Sequence, residues 1–168
     1  PIPVQASLIL SKVRLKAGTA DRPGRNNASI SVRGVVNAND PFASFVEDIT
    51  ASGLSVRVTG AGGVDETLPW VASDCETRQT SRGPRIRCQA ADSGGKRKID
   101  LRENRGPNLL RAKIAAKRLG FPPPLTAGSV AVVITTSTFE RGDTIGGCVG
   151  SRGGRKSTCR ESGFVPTP

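Results

Sequence analysis

The sequence predicts an all-β protein, an antiparallel β-sandwich of the immunoglobulin-like or jelly-roll-like kind with an extended N-terminal strand. Three observations predict it. About eight short segments alternate apolar and polar residues, which is the period of a strand with one buried face. Turn-forming residues separate them, since the 168 residues include 20 Gly and 12 Pro. Only 4% of the residues are aromatic, so the core is aliphatic and rich in the β-branched residues that favour strands.

The N-terminal ten residues give the clearest strand pattern in the chain. Five apolar residues alternate there with other residue types: Ile2, Val4, Ala6, Leu8 and Leu10. The alternation slips at Ser11 and resumes at Val13, which predicts a bulge in one long strand or two adjoining strands. We therefore divide the chain into an extended arm, residues 1–11, and a single β-sandwich domain, residues 12–168.

The next elements follow in strand phase. Residues 28–32 and 54–58 alternate apolar and polar positions and predict two strands. Between them lies an apolar cluster that fits either a short helical turn or an irregular core plug: Phe42, Phe45, Val46 and Ile49. Residues 60–63 form a flexible Gly-rich turn, and the single Trp70 after it is expected to anchor the core.

The second half of the chain predicts further strands. Strand-phase residues at 86–88 and 99–101 precede a turn at 103–108, and the alternation at 110–116 completes a hairpin. A helix is the alternative for 108–119, because apolar and basic residues there also fit helical spacing; we prefer the strand. Residues 129–136 are apolar on both faces and β-branched, which predicts a central strand.

The four cysteines predict two disulfides. No C-x-x-C pair occurs, so metal-knuckle and thioredoxin motifs are absent. Of the three possible connectivities, sequential pairing is the simplest: Cys75 with Cys88 and Cys148 with Cys159. Disulfides imply an oxidising compartment, and the absence of Met is expected for a processed chain. We therefore expect an extracellular or cell-surface location after export. Four reduced thiols in a cytosolic protein are the alternative.

The composition argues against an enzyme. The chain has no His and no Tyr, which removes Ser-His-Asp and Cys-His nucleophile systems and His-ligated zinc. Phosphate-binding loop and serine-hydrolase motifs are also absent, and acidic residues cluster only at 47–48 and 65–66. No run approaches the roughly 18 apolar residues of a membrane-spanning helix. We expect no catalytic residues, no metal and no cofactor.

Several short motifs together resemble a β-sandwich module that is found, often repeated, in exported proteins of deltaproteobacteria and related bacteria. The motifs are VRLKAG (13–18), SVRG (31–34), DP (40–41), LSVRV (54–58), IDLR (99–102) and LGFP (119–122). The resemblance covers roughly residues 12–148 and implies the fold and export, but no activity. The N-terminal strand pattern and the second cysteine pair lie outside it.

The N-terminal arm suggests a structural function. An extended segment with alternating apolar residues can complete the sandwich of a neighbouring subunit, in the manner of pilus donor strands. Its candidate subunit-linking residues are Ile2, Val4, Ala6, Leu8 and Leu10. Because head-to-tail exchange is heterologous, it generates a filament unless a ring closes. The sequence thus predicts the subunit of an extracellular homopolymer. In the alternative, the arm is the first strand of its own domain.

A basic hairpin suggests a second function. Its cationic residues are Lys96, Arg97, Lys98, Arg102, Arg105, Arg111, Lys113, Lys117 and Arg118. Only Asp100 and Glu103 oppose them in residues 96–118, where no aromatic residue occurs to stack on bases. Such a face would bind acidic polysaccharide, nucleic acid or another polyanion through salt-sensitive contacts. The chain would then be a secreted monomeric binding module. A solvated or subunit-pairing basic face is the simpler interpretation.

Overall fold

Two antiparallel sheets packed face to face form the molecule, so the predicted all-β sandwich is confirmed. The computed structural model describes residues 8–18, 27–37, 42–81, 83–92, 95–103, 109–121, 123–126, 128–137 and 140–160. Aliphatic side chains from both sheets fill the space between them, and Trp70, 2% exposed, lies in this core as expected.

The larger sheet has eight strands among the described residues, numbered along the chain. In spatial order they are β11 (Val149–Gly150), β12 (Lys156–Arg160), β1 (Leu8–Lys16), β2 (Ala28–Asn37), β8 (Leu109–Leu119), β7 (Gly95–Glu103), β6 (Gly83–Asp92) and β5 (Cys75–Thr80). Residues 108–119 were open to a helical interpretation, but β8 is a strand that pairs with both β2 and β7.

The smaller sheet has four strands in the described part of the chain. In spatial order they are β10 (Glu140–Ile145), β9 (Val130–Thr135), β3 (Leu54–Gly60) and β4 (Val64–Trp70). The predicted central strand is confirmed, since β9 lies between β10 and β3. The apolar cluster after β2 belongs to a helix, α1 (Phe42–Ser52), whose Ile49 is fully buried.

The slip in the N-terminal pattern is a β-bulge in one continuous strand. The register of β1 against β2 shifts between Leu10 and Lys12. Leu8 and Leu10 are buried before the bulge, whereas Val13 and Leu15 are buried after it. Because one extra residue exchanges the two faces of a strand, the bulge keeps apolar side chains inward along all of β1.

The N-terminal arm begins outside the described residues, where Ile2, Val4 and Ala6 lie. The other two candidate linking residues, Leu8 and Leu10, are 1% and 3% exposed and pair with Val36 and Gly34 of the same chain. They therefore fill the core of their own domain. The boundary drawn between residues 11 and 12 falls inside β1, at the bulge.

Candidate functional site

Cationic side chains cover the outer face of the larger sheet. Buried and exposed residues alternate along its strands, so the residues between the core positions share that face. We call this surface the basic face. Its described cations are Lys12, Arg14, Lys16, Arg33, Arg78, Arg85, Arg87, Lys96, Lys98, Arg102, Arg111, Lys113, Lys117, Lys156 and Arg160. Asp100 and Glu76 are the only acidic residues among the described residues of this face.

Strand register aligns one row of cations across four strands. Arg160 on β12 is opposite Lys12 on β1, Lys12 is opposite Arg33 on β2, and Arg33 is opposite Lys113 on β8. Neighbouring strands lie about 4.8 Å apart, so the row spans about 14 Å. Like charges directly opposite each other are destabilising. A bound anion would relieve that repulsion.

A second row consists of arginines alone. Arg111 on β8, Arg102 on β7, Arg85 on β6 and Arg78 on β5 are consecutive partners across four adjacent strands. Along a strand, side chains on one face repeat every two residues, or about 6.7 Å. This row therefore lies about one such step from Lys113 on β8. The two rows share only β8, and together they extend across seven strands of the larger sheet.

The bulge in β1 is what places Lys12 on the basic face. Without it, Lys12 would continue the inward positions of Leu8 and Leu10. Two hydrogen bonds hold the bulge: the Ser11 hydroxyl donates to the Arg33 carbonyl (3.1 Å), and the Leu10 N–H donates to Asp143 Oδ2 (2.9 Å).

The strand beside the bulge carries a glycine where the two backbones approach closely. A Cβ at Gly34 would lie 2.7 Å from the Ile9 carbonyl oxygen, closer than a side chain tolerates. Glycine at this position of β2 therefore lets the bulged part of β1 pack against it, next to Arg33.

Asp100, on β7, belongs to the basic face and is surrounded by arginines. Its carboxylate accepts two hydrogen bonds from Arg85, and it forms ion pairs with Arg102 at 3.5 Å and Arg87 at 3.6 Å. Burial of the carboxyl raises its pKa, but the hydrogen bonds and charges of Arg85 and Arg102 outweigh burial and hold the pKa of Asp100 below its usual value. Asp100 thus neutralises part of the β6–β7 side.

The opposite side of the basic face has no such counterion. Lys12, Arg14, Arg33 and Arg160, which we call the Lys12 cluster, form no ion pair with any acidic residue of the described chain. The charge of Arg14, then that of Arg160, with smaller effects of desolvation and of Arg33, lowers the pKa of Lys12. This cluster is therefore the most crowded positive region for which the structure shows no internal neutralisation.

A groove of about 750 Å³ lies between these two sides. Small residues in its lining, such as Ser11, Gly34 and Ala115, leave room between the charged side chains. On one side it is lined by Lys113 and by Arg33, which belongs to the Lys12 cluster. On the other side its lining residues lie on β6 and β7 and include Asp100. The volume is within the range of sites that hold a small molecule or a few units of a polymer.

Most residues of the predicted basic hairpin lie on this face. They are Lys96, Lys98, Arg102, Arg111, Lys113 and Lys117. Arg118 is exposed at a second irregularity, where its φ is +61° and it has no cross-strand partner, and Arg105 lies outside the described residues.

Arg97 does not belong to the basic face. It occupies an inward position of β7 and is 6% exposed. Its guanidinium donates to the Pro69 carbonyl and to both carboxylate oxygens of Asp92, at 2.9 and 3.0 Å, while its own carbonyl accepts from the Trp70 indole at 3.4 Å. Its bonds to β4 give it a structural role between the sheets.

The cations of β1, β2, β5, β6 and β12 were not predicted as part of the site. The alternation of apolar residues beside Arg14 and Arg33 is a signal that could have placed both side chains away from the core. Nothing in the sequence, however, showed that β2 lies beside β8 rather than beside another strand. That neighbour relationship joins Arg33 to the hairpin and makes one continuous surface.

The outer face of the smaller sheet is different. Among its described residues, Arg57 is the one cation, and it forms a bidentate ion pair with Asp65 at 2.9 Å. Glu140 adds a second acid, and most of the remaining positions are threonines and small apolar residues. Positive charge is therefore concentrated on one side of the sandwich.

The two disulfides pair sequentially, as predicted, and both hold outlying strands of the larger sheet. Cys75–Cys88 joins β5 to β6, and Cys148–Cys159 joins the segment before β11 to β12. Each fastened strand carries cations of the basic face, Arg78 on β5 and Arg160 on β12. Cys159 is fully buried opposite Val13.

In the described parts of the chain, no group of three or more His, Cys, Asp and Glu side chains is placed to hold a metal ion. The described helices are also too short or too polar to cross a membrane. Comparison of the chain with protein-family models, curated proteins and solved structures finds no match.

Proposed function

We propose that this protein binds an anionic polysaccharide along the basic face. The observation that carries the proposal is the contrast between the two outer faces of one sandwich, since positive charge serving solubility alone has no reason to gather on one of them. The row of Arg160, Lys12, Arg33 and Lys113, in which the described residues form no ion pair, is electrostatically unfavourable without an anion. Its retention in register is explained if a ligand supplies the missing negative charge.

The extent of the face favours a polymer over a single small anion. Each row spans about 14 Å across the strands, and the two rows are about 6.7 Å apart along β8, the strand they share. A chain with regularly spaced acidic groups meets several cations at once, and each additional contact strengthens binding. The groove of about 750 Å³ between the rows gives such a chain a place to lie.

Polysaccharide is favoured over nucleic acid for three reasons. The described residues of the basic face include no aromatic side chain, so bases have no platform to stack on. A broad sheet presents no helix or narrow ribbon that enters a DNA groove. Two disulfides are compatible with an extracellular protein, where acidic polysaccharides occur.

The test is a salt series of binding to heparin, with duplex DNA as a second ligand. We expect Arg33→Gln to weaken heparin binding by about fivefold, because one cation near an anionic surface contributes about 1 kcal/mol. The matched control is Arg57→Gln, which removes one charge from the other sheet and is expected to leave affinity almost unchanged. Equal losses in both variants, salt-independent binding, or a clear preference for DNA would each contradict the proposal.

Filament assembly by N-terminal strand exchange stays a prediction. Leu8 and Leu10 are buried in the core of their own domain. The candidate residues left for insertion into a neighbouring subunit are therefore Ile2, Val4 and Ala6. Any linking segment is thereby limited to residues 1–7.

A further inference from the structure

We infer that the Lys12 cluster is a subsite for a tetrahedral oxyanion, a sulfate or phosphate ester on the bound polymer. The inference rests on the proposed function and narrows its ligand from anionic polymers in general to those that carry such esters. The subsite consists of Lys12, Arg14, Arg33 and Arg160.

The fold brings these four residues together from three adjacent strands. Lys12 has Arg160 opposite it on one side and Arg33 opposite it on the other, each one strand spacing of about 4.8 Å away. Arg14 follows on the same face of β1. Lys12 therefore has a guanidinium-bearing neighbour in three directions, and the bulge at Ser11 is required for this arrangement.

The number of donors in the cluster fits a tetrahedral oxyanion better than a carboxylate. Three guanidinium groups and one ammonium offer many N–H donors. A carboxylate has two oxygens and one charge, whereas a sulfate ester has three terminal oxygens and a phosphate monoester has three with up to two charges. Arginine forks bind such groups in bidentate fashion. More of the donors are thus satisfied by a sulfate or phosphate ester.

The rest of the basic face contrasts with the cluster. On β6 and β7, Arg85, Arg87 and Arg102 already share the carboxylate of Asp100, so a ligand there competes with a fixed anion. Around Lys12 no described acidic residue forms an ion pair with any of the four cations. The neighbouring cations also lower the pKa of Lys12. An oxyanion bound among the four charges would raise that pKa again.

The experiment compares polymers that share one backbone. Dextran sulfate and carboxymethyl-dextran, matched in charge per sugar, are titrated into the protein by calorimetry at several salt concentrations, with dextran phosphate, which carries phosphate monoesters, as a third probe. We expect the unmodified protein to prefer dextran sulfate. Lys12→Gln is expected to weaken dextran sulfate binding by about fivefold and carboxymethyl-dextran binding by less than half that factor. Dextran phosphate distinguishes a subsite for both esters from one for sulfate alone.

Two further variants separate the subsite from the face as a whole. Lys96→Gln removes one charge at the far end of the face and should weaken both dextrans equally. Arg14→Gln, an exposed member of the cluster, should reproduce Lys12→Gln and takes its place if that variant does not fold.

The subsite is overturned if the cluster variants weaken both dextrans equally, or if the preference for sulfate survives them; the proposed function stands in either case. If neither dextran binds in a salt-dependent manner, both proposals fail together.

Discussion

The backbone N–H of Leu10 donates a 2.9 Å hydrogen bond to Asp143, and this bond joins β1 of the larger sheet to β10 of the smaller one. It forms at the bulge, where the N–H of Leu10 has no strand partner among the described residues on that side. One carboxylate therefore supports both the closure of the sandwich and the change of strand phase that turns Lys12 outward.

Replacing Asp143 with Ala should destabilise the fold and disturb the basic face together. A partly buried backbone N–H loses a charged acceptor, which costs about 1.5–3 kcal/mol in the free energy of unfolding. Urea denaturation measures this loss, and heparin affinity measures the second effect. Asp65→Ala removes an exposed carboxylate from the other sheet and serves as the control. A stable Asp143→Ala variant with unchanged affinity would contradict the assigned role.

Sequence alone predicted the sandwich because alternation, turn residues and β-branched composition are local signals. It also located the phase slip in β1 and six of the fifteen described cations of the basic face. What it lacked was strand neighbourhood. Arg33 and Lys113 are 80 positions apart in the chain, and only the pairing of β2 with β8 makes them opposite each other. Arg97 was wrongly included, although its strand phase, shared with Ile99 and Leu101, already indicated an inward position.

Removal of residues 1–7 tests the filament prediction without removing any described strand residue. Because β1 begins at Leu8, we expect the shortened chain to keep the melting temperature of the full chain. If strand exchange links subunits, negative-stain microscopy and light scattering should show polymers of the full chain and monomers of the shortened one. Leu10→Ala is the matched contrast, since it removes a core side chain and should cost about 2–5 kcal/mol.

An unfolded shortened chain would assign residues 1–7 to their own domain. Polymers that persist after the deletion would place the linkage elsewhere. Either result would contradict exchange through this segment.

Loss of either disulfide should lower stability by a similar amount but affect binding differently. Closing loops of 11 and 13 residues stabilises by about 3 kcal/mol in each case. The pair Cys148–Cys159 fastens β12, which carries Arg160 of the Lys12 cluster, whereas Cys75–Cys88 fastens β5. We expect Cys148→Ala/Cys159→Ala to weaken dextran sulfate binding more than Cys75→Ala/Cys88→Ala does. Calorimetry at a temperature where both variants are folded provides the comparison, and the reverse order would argue against the subsite.

The pKa of Asp100 makes stability depend on pH in the acid range. Its pKa is lower in the folded state than in the unfolded chain, so the stabilisation is present above the unfolded value of about 3.9 and is lost as the pH falls through the folded value. Thermal unfolding between pH 6 and pH 2 should show a decline that is smaller in Asp100→Asn. A variant with the same acid decline as the unmodified protein would show that other carboxylates cause it.

Asp100 should also limit how much of the basic face a polyanion uses. With the carboxylate neutralised in Asp100→Asn, Arg85, Arg87 and Arg102 lose their fixed counterion and become open to ligand anions. Heparin affinity should therefore rise, and its logarithm should fall more steeply with the logarithm of salt concentration, because more ions are released on binding. The control is Asp65→Asn, which adds the same unit of net charge on the other sheet. If both variants raise affinity equally, net charge alone is responsible; a selective effect of Asp100→Asn assigns the response to the arginines around it, provided that circular dichroism shows both variants folded.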